Sequence, residues 1–137
     1  MNAYHGSCHC GLIQLTYRTA LDPAHWPLRD DGCTFCRKHA VAATSDPSGE
    51  VTFNFREDAR VQRYRFDTLS ADFLICETCG VFVAATTATP NGHRAVINAR
   101  VLNDVELDYS RVVHASLEGE SLEARQARRA RNWTPVH

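Results

Sequence analysis

The sequence has little net charge, no long apolar run and no leader-like start. Its 15 Lys and Arg residues and 16 Asp and Glu residues leave a formal net charge of -1, so no global charge attracts nucleic acid or an anionic membrane. No segment reaches the roughly 18 apolar residues that a membrane helix needs. The first residues lack the basic and apolar regions of a secretory signal. We therefore expect a cytoplasmic protein with no nucleic-acid partner and no membrane.

The chain is otherwise ordinary in composition, apart from its 6 cysteines. Hydrophobic residues make up 44% and charged residues 23%, and a chain of 137 residues buries a core without disulfide support. Because the cytoplasm keeps thiols reduced, the cysteine spacing indicates metal binding or catalysis. We predict one domain over residues 1–137, with a core at about 5–115 and a helical tail at about 117–133.

Short runs of alternating apolar and polar residues predict strands. In residues 12–17, the side chains of Ile13, Leu15 and Tyr17 share one face. A turn-forming stretch such as 46–49 separates one run from the next. Many short strands without long helices predict a mainly β domain. The other predicted strands are residues 51–55, 61–66, 73–75, 81–86, 94–98 and 112–115.

Residues 121–132 predict a C-terminal helix, because acidic residues precede basic ones in an order that suits the helix dipole. An arginine-rich face offers a contact surface for a partner, but a run of charges is more often a solvated face. We therefore expect these arginines to face solvent. The acidic residues are Glu118, Glu120 and Glu123, and the basic ones are Arg125, Arg128, Arg129 and Arg131.

Two cysteine pairs have the form of metal knuckles. Cys8 and Cys10 make the first, Cys76 and Cys79 make the second, and each pair is followed at once by glycine. A glycine there adopts positive φ and lets backbone N–H groups face the sulfurs. Four thiolates at about 2.3 Å suit zinc in a closed tetrahedral shell, which is typical of a structural site.

These four cysteines also have alternative interpretations. Cys76 and Cys79 could form a redox pair, or the cysteines could simply be buried. A thioredoxin-like pair follows a strand and opens a helix, whereas the residues after Cys79 predict a strand. That context favours structural zinc. We expect His9 to be a surface residue, because four thiolates are already available.

Cys33 and Cys36 form a third pair without a second pair to complete it. Asp31 lies just before it, and a metal held by two thiolates and one carboxylate keeps a position for water or substrate. Arg37 and Lys38 follow the pair, and their charge favours thiolates even without a metal. A turn with two reduced cysteines is an equal alternative, because one Cys-x-x-Cys is a weak signal.

The order of the three pairs resembles the glutathione-dependent formaldehyde-activating (GFA) family, which includes the centromere protein V type of domain. The resemblance covers about residues 5–105. It implies folded antiparallel sheets of the Mss4-like or β-tent type around a closed four-cysteine zinc, in agreement with the two knuckles. The motifs that carry it are residues 7–11, 33–37 and 73–80.

The resemblance also implies a second, more labile zinc, held by three cysteines of a Cys-x-Cys-x-x-Cys motif where a glutathione adduct binds. Cys33 and Cys36 match the last two of these cysteines, but Asp31 occupies the position of the first. A carboxylate binds zinc at about 2.0–2.2 Å, so Asp31 is a candidate third ligand. Exchanging a thiolate for a carboxylate should lower zinc affinity and raise the Lewis acidity of the metal.

The implied function is a carbon–sulfur lyase that acts on an adduct of an aldehyde, such as formaldehyde, with glutathione or another thiol. Asp31, Cys33 and Cys36 would be the catalytic site, and Arg37 or Lys38 would bind a carboxylate of the substrate. Two alternatives stay open: a non-catalytic module that binds a small thiol or a larger partner, and a scaffold with structural zinc only. Edge strands in small β domains also leave a homodimer open.

Overall fold

The structure is a computed structural model that describes residues 1–30, 33–115, 117 and 119–137. These residues form a mainly β domain with antiparallel and mixed sheets and a C-terminal helix. The helices are α1 (Thr34–Lys38) and α2 (Leu122–Asn132), with 3₁₀ turns at Pro23–His25, Ala99–Val101 and Tyr109–Arg111. The strands are β1 (Asn2–Ser7), β2 (Ile13–Thr19), β3 (Arg29–Asp30), β4 (Ala43–Thr44), β5 (Glu50–Phe55), β6 (Val61–Tyr64), β7 (Asp72–Cys76), β8 (Phe82–Thr89), β9 (Gly92–Asn98), β10 (Val113–His114) and β11 (Thr134–Pro135).

The described strands pair into two sheets. The smaller sheet has the order β1-β2-β5, and the larger has the order β10-β3-β4-β9-β8-β7-β6, with β11 paired to β9. Neighbouring strands are antiparallel except β10 and β3. A bridge between Gly6 and Leu102 links the small sheet to the segment that follows β9. No helix in the described ranges has both the length and the apolar character needed to cross a membrane.

The prediction of a mainly β fold is confirmed, and each predicted strand has a counterpart. Strand β1 was not predicted, because it lies at the edge of its sheet and buries only Gly6. The pattern therefore lacks the alternation of apolar residues that marks a half-buried strand. Helix α1 was also missed, since its 5 residues are too few to show a helical period.

The core consists of two clusters on opposite faces of β9. Ala95 and Ile97 pack in one cluster with Tyr17 of β2. The residue between them, Val96, packs in the other cluster with Trp133. Because successive residues of a strand point to opposite faces, β9 is buried on both sides, under the small sheet on one side and the C-terminal segment on the other.

Helix α2 confirms the predicted C-terminal helix. It begins after Ser121, whose Oγ accepts a hydrogen bond of 3.1 Å from the Ala124 N–H, as an N-cap residue should. The expectation that its arginines are solvated is wrong for two of them. Arg125 is 8% exposed and Arg129 is 7% exposed, because this face of α2 packs toward the large sheet, whereas Arg131 is exposed.

Gly6 allows β1 to approach the segment after β9 closely. A Cβ at this position would lie 2.6 Å from the Val101 carbonyl oxygen and 3.1 Å from Leu102 Cα. We expect Gly6→Ala to lower the free energy of unfolding by roughly 1–3 kcal/mol, because rigid backbone atoms must move. Urea denaturation measures this, with Asn2→Ala on the same strand as a control that changes it by less than about 0.5 kcal/mol. An unchanged midpoint in Gly6→Ala would contradict the tight contact.

Candidate functional site

Four cysteines from distant parts of the chain meet at one site. Cys8 and Cys10 follow β1, Cys76 ends β7 and Cys79 lies in the next turn. Their sulfur atoms all lie within 4.8 Å of one another, and Cys10 Sγ lies 3.7 Å from Cys8 Sγ and 3.6 Å from Cys76 Sγ. Four ligands at about 2.3 Å from one ion form a tetrahedron with edges of about 3.8 Å. The sulfurs are therefore spaced as the ligands of a single metal ion.

The two knuckles have similar backbones. The Cys8 N–H donates to the Ile13 carbonyl oxygen at 2.9 Å, and the Ile13 N–H donates to Cys8 Sγ at 3.3 Å. The Cys76 N–H likewise donates to the carbonyl oxygen five residues later, at 3.0 Å. Gly11 and Gly80 both have φ of 82°, which glycine adopts without a side-chain clash. Both glycines therefore have the positive φ that the sequence predicts for them.

Contacts among the thiols of this site shift the pKa values of Cys79 and Cys10. Burial opposes ionisation of Cys79, but hydrogen bonds from the N–H groups of Cys10 and Val81, together with the neighbouring thiols, lower its pKa to about 6. At Cys10 the Leu12 N–H lowers the pKa, but burial and the hydrogen bonds with the other three thiols raise it to about 12. The Cys79 thiol thus ionises more readily than an ordinary thiol, and the Cys10 thiol ionises less readily. A bound cation would favour the thiolate form of every cysteine that it contacts, because its positive charge stabilises the thiolate.

Cys33 and Cys36 do not belong to this group and lie at the start of α1. Cys33 is the N-cap residue, and its Sγ accepts a hydrogen bond of 3.2 Å from the Cys36 N–H. Cys36 is buried and Cys33 is half-buried. Asp31, the predicted third ligand, lies outside the described residues. Within the described part of the chain, no His, Asp or Glu joins the pair in a metal-binding group.

A cavity opens beside Cys33 and Cys36, and both residues line it. The cavity has a volume of ≈ 90 Å³, which exceeds the volume of roughly 10–15 Å³ that a single water needs. Apolar side chains, among them Phe73, Phe82 and Trp133, form much of the wall. A small molecule can therefore lie in this cavity against two thiols and an aromatic surface.

Arg37 and Lys38, predicted to bind a substrate carboxylate, occupy the last turn of α1 and are exposed. Neither is among the described residues that line the cavity. His39 follows them and stacks on Phe35 with ring centroids 4.2 Å apart. The structure thus places these cations beside the cysteine pair along the chain, but outside the cavity itself.

Three arginines of helix α2 line the cavity, namely Arg125, Arg128 and Arg129. Arg125 Nη1 donates to Asp67 Oδ2 at 2.6 Å, and this hydrogen bond raises the pKa of Arg125. Arg128 donates to Glu120 from Nε at 3.1 Å and from Nη2 at 3.1 Å, and this pairing lowers the pKa of Glu120. Both guanidinium–carboxylate hydrogen bonds hold the arginines in place.

Arg129 extends the same wall. Its Nη1 donates to Ser70 Oγ at 2.7 Å and to Gln126 Oε1 at 3.0 Å, and its Cζ lies 5.0 Å from the centre of the Trp133 ring. Sequence reasoning missed these cavity arginines. Their spacing of i, i+3 and i+4 does predict a shared helix face, but it contains no information about what that face contacts.

The fold and site define a mainly β domain with four clustered cysteines that can hold a metal ion. The family model of the glutathione-dependent formaldehyde-activating enzyme matches residues 3–117, so the chain belongs to this family. The matched region contains all the cysteines but ends before α2. No curated protein matches the sequence.

A crystal structure of a Rhodobacter sphaeroides protein has a similar fold. The two chains are 22% identical with a TM-score of 0.55, and the similarity covers 82% of this chain and 99% of that chain. At this identity the likeness supports the fold and says nothing about substrate.

Substitutions of Cys10 and of its neighbour His9 should differ in their effects on metal content and on the free energy of unfolding. We expect Cys10→Ser to lose the bound metal and at least about 3 kcal/mol of unfolding free energy, a part of the roughly 10–16 kcal/mol that structural zinc contributes in small domains. His9→Ser, one residue away and exposed, should retain both. Elemental analysis and urea denaturation measure the two quantities. Full metal content in Cys10→Ser would show that this thiol is not a ligand.

Proposed function

We propose that this protein is a zinc-dependent carbon–sulfur lyase that acts on the adduct of a thiol with an aldehyde. The family suggests glutathione as the thiol and formaldehyde as the aldehyde. The observation that carries the proposal is the cavity in which Cys33 and Cys36, two cysteines of the family motif, face a space large enough for a small molecule. A cytoplasmic location belongs to the proposal, because the site needs reduced thiols.

The ion at Cys8, Cys10, Cys76 and Cys79 is proposed to be structural zinc. Zinc accepts four sulfur ligands in a tetrahedron, and the spacing of the sulfurs fits that shell. Four protein ligands leave no position for a substrate. The role of this ion is therefore to join the end of β1 to the end of β7.

Cys33 and Cys36, with Asp31 as third ligand, are proposed to hold a second zinc. Two thiols on one wall of the cavity fit the soft part of that ligand set, and Asp31 precedes them at the position of the missing family cysteine. Such an ion would supply Lewis-acid chemistry and an affinity for sulfur when bound. Because Asp31 is a harder ligand than cysteine, we expect this zinc to be held less tightly than the structural one.

The chain's own residues bind the adduct and exclude water. The apolar wall with Phe73, Phe82 and Trp133 shields the bound adduct from solvent. In the lyase direction the carbon–sulfur bond breaks and its electron pair stays with sulfur. The adduct's hydroxyl loses its proton as the carbonyl forms, sulfur takes up a proton, and the products are a thiol and an aldehyde. Arg37 and Lys38 are candidate contacts for a part of the substrate that extends beyond the cavity.

Zinc content tests the second site. We expect about two zinc ions per parent chain, falling to about one in Cys33→Ala and in Asp31→Ala while the fold is retained, because each change removes one ligand. Thr34→Ala, exposed on α1, is the matched control and should keep both ions. A parent value of about one that no substitution changes would remove the second zinc and favour a scaffold with structural zinc only.

Turnover tests the reaction itself. We expect the parent to accelerate exchange between formaldehyde, glutathione and their adduct, as measured by NMR exchange spectroscopy, and Cys33→Ala to lose at least about tenfold of that acceleration. Thr34→Ala should retain it. Binding of two zinc ions without any acceleration would contradict the lyase and leave a thiol-binding module.

A further inference from the structure

The cavity beside Cys33 and Cys36 is larger than formaldehyde needs. Its volume of ≈ 90 Å³ is several times the roughly 10–15 Å³ that a single water needs, whereas formaldehyde adds only one carbon and one oxygen to the sulfur of a thiol. We propose that the aldehyde of the substrate carries an aromatic group, and that this group lies in the cavity. The inference relies on the proposed function for the reaction at the two cysteines, and it adds the chemical class of the aldehyde.

The large sheet gives the cavity an extensive apolar wall. Its neighbouring strands β4, β9, β8 and β7 all contribute lining residues. Such a wall favours an apolar group, because a polar group placed against it loses hydrogen bonds to water without gaining others. The apolar lining residues of these strands are Ala43, Phe73, Phe82, Ala85, Val96 and Ile97.

Aromatic rings pack against one another along this wall. The ring centroids of Phe66 and Phe73 lie 4.7 Å apart, and those of Phe73 and Phe82 lie 5.7 Å apart. All three residues line the cavity. Aromatic rings attract one another in tilted and offset-stacked arrangements at such separations. A ring of the ligand therefore gains these contacts in addition to the burial of its own surface.

Two charged side chains in the cavity wall already have partners in the protein. Arg125 donates to Asp67, and Arg128 donates to Glu120. An apolar ligand leaves both bonds intact, so it does not separate either guanidinium group from its carboxylate. The arginines of this wall are therefore compatible with an apolar occupant.

The position of the thiols connects the reaction to the aromatic wall. In the adduct, one carbon bears the sulfur, the hydroxyl and the apolar group of the aldehyde. An adduct held at Cys33 and Cys36 therefore places its apolar group within a few ångströms of them, in the cavity that both cysteines line. The thiol part of the adduct extends outward, toward Arg37 and Lys38. The bonds that form and break are those of the proposed reaction.

The two tryptophans of the chain provide a readout that needs no turnover. Trp133 lines the cavity, whereas Trp26 packs in the other core cluster. Benzyl alcohol has the ring of benzaldehyde but no carbonyl group, so it forms no adduct with a thiol. A ¹H–¹⁵N NMR titration of the protein with benzyl alcohol follows both indole N–H signals, and a Trp133→Phe variant assigns them.

We expect benzyl alcohol to shift the Trp133 signal with a Kd of about 10 mM or lower, as a well-buried ligand of this size predicts, and to leave the Trp26 signal unchanged. Glycerol, a small polar alcohol, should shift neither signal. Phe66→Ala removes one ring of the wall and should raise the Kd by about threefold or more. Phe55→Ala, the matched control, removes an exposed ring from β5, away from the described lining, and should leave the Kd unchanged.

Three results would overturn the inference. The first is a Trp133 signal that stays in place up to the solubility limit of benzyl alcohol. The second is an equal shift of the Trp26 and Trp133 signals, because the ring would then bind without preference for the cavity. The third is a glycerol Kd equal to that of benzyl alcohol, because the cavity would then not select an apolar group.

Adduct exchange separates this inference from the proposed function. We expect the acceleration over the uncatalysed exchange to be about tenfold or more greater for benzaldehyde than for formaldehyde, since the ring is buried during the reaction. Acceleration for formaldehyde alone, without a shift at Trp133, would support the lyase and contradict the aromatic aldehyde. Binding of benzyl alcohol at Trp133 without acceleration for either aldehyde would support the aromatic site and contradict the lyase.

Discussion

The structure depends most on the meeting of four cysteine sulfurs. Cys8 and Cys10 follow an edge strand of the small sheet, whereas Cys76 ends a strand inside the large sheet and Cys79 follows it. One metal ion bound to all four would close a chain loop of more than sixty residues and would stabilise each thiolate. Such an ion would therefore couple the two sheets, including β8, whose Phe82 and Ala85 line the cavity.

The cavity is lined both by residues inside the region that matches the family and by residues beyond it. The family region supplies Cys33 and Cys36, and α2, which lies beyond that region, supplies three arginines that line the cavity. Arg125 reaches back to Asp67 in the loop before β7, so the helix also fixes one rim of the cavity. The thiols and the arginines that line the cavity thus belong to separate segments of the chain, which the tertiary structure brings together.

Strands β2 and β5 to β10 were predicted. A strand that covers a core repeats every two residues, and Ile13, Leu15 and Tyr17 of β2 show that repeat directly. Strand β1 could not be predicted, because its buried residue is Gly6, which has no side chain to mark the pattern. Helix α1 is set by the Cys33 N-cap and by the packing of Cys36 in the second core cluster. Neither of these features produces a period in the sequence.

The sequence by itself determined the two candidate metal-binding pairs, because two cysteines separated by one or two residues and followed by glycine define a knuckle through local backbone geometry alone. It also determined the helix at residues 121–132. The tertiary structure decided what Arg125 and Arg129 contact. A run of arginines has the same spacing whether it faces water or a cavity, and only the packing of α2 against the large sheet removed these two side chains from solvent and directed them to the space beside Cys33.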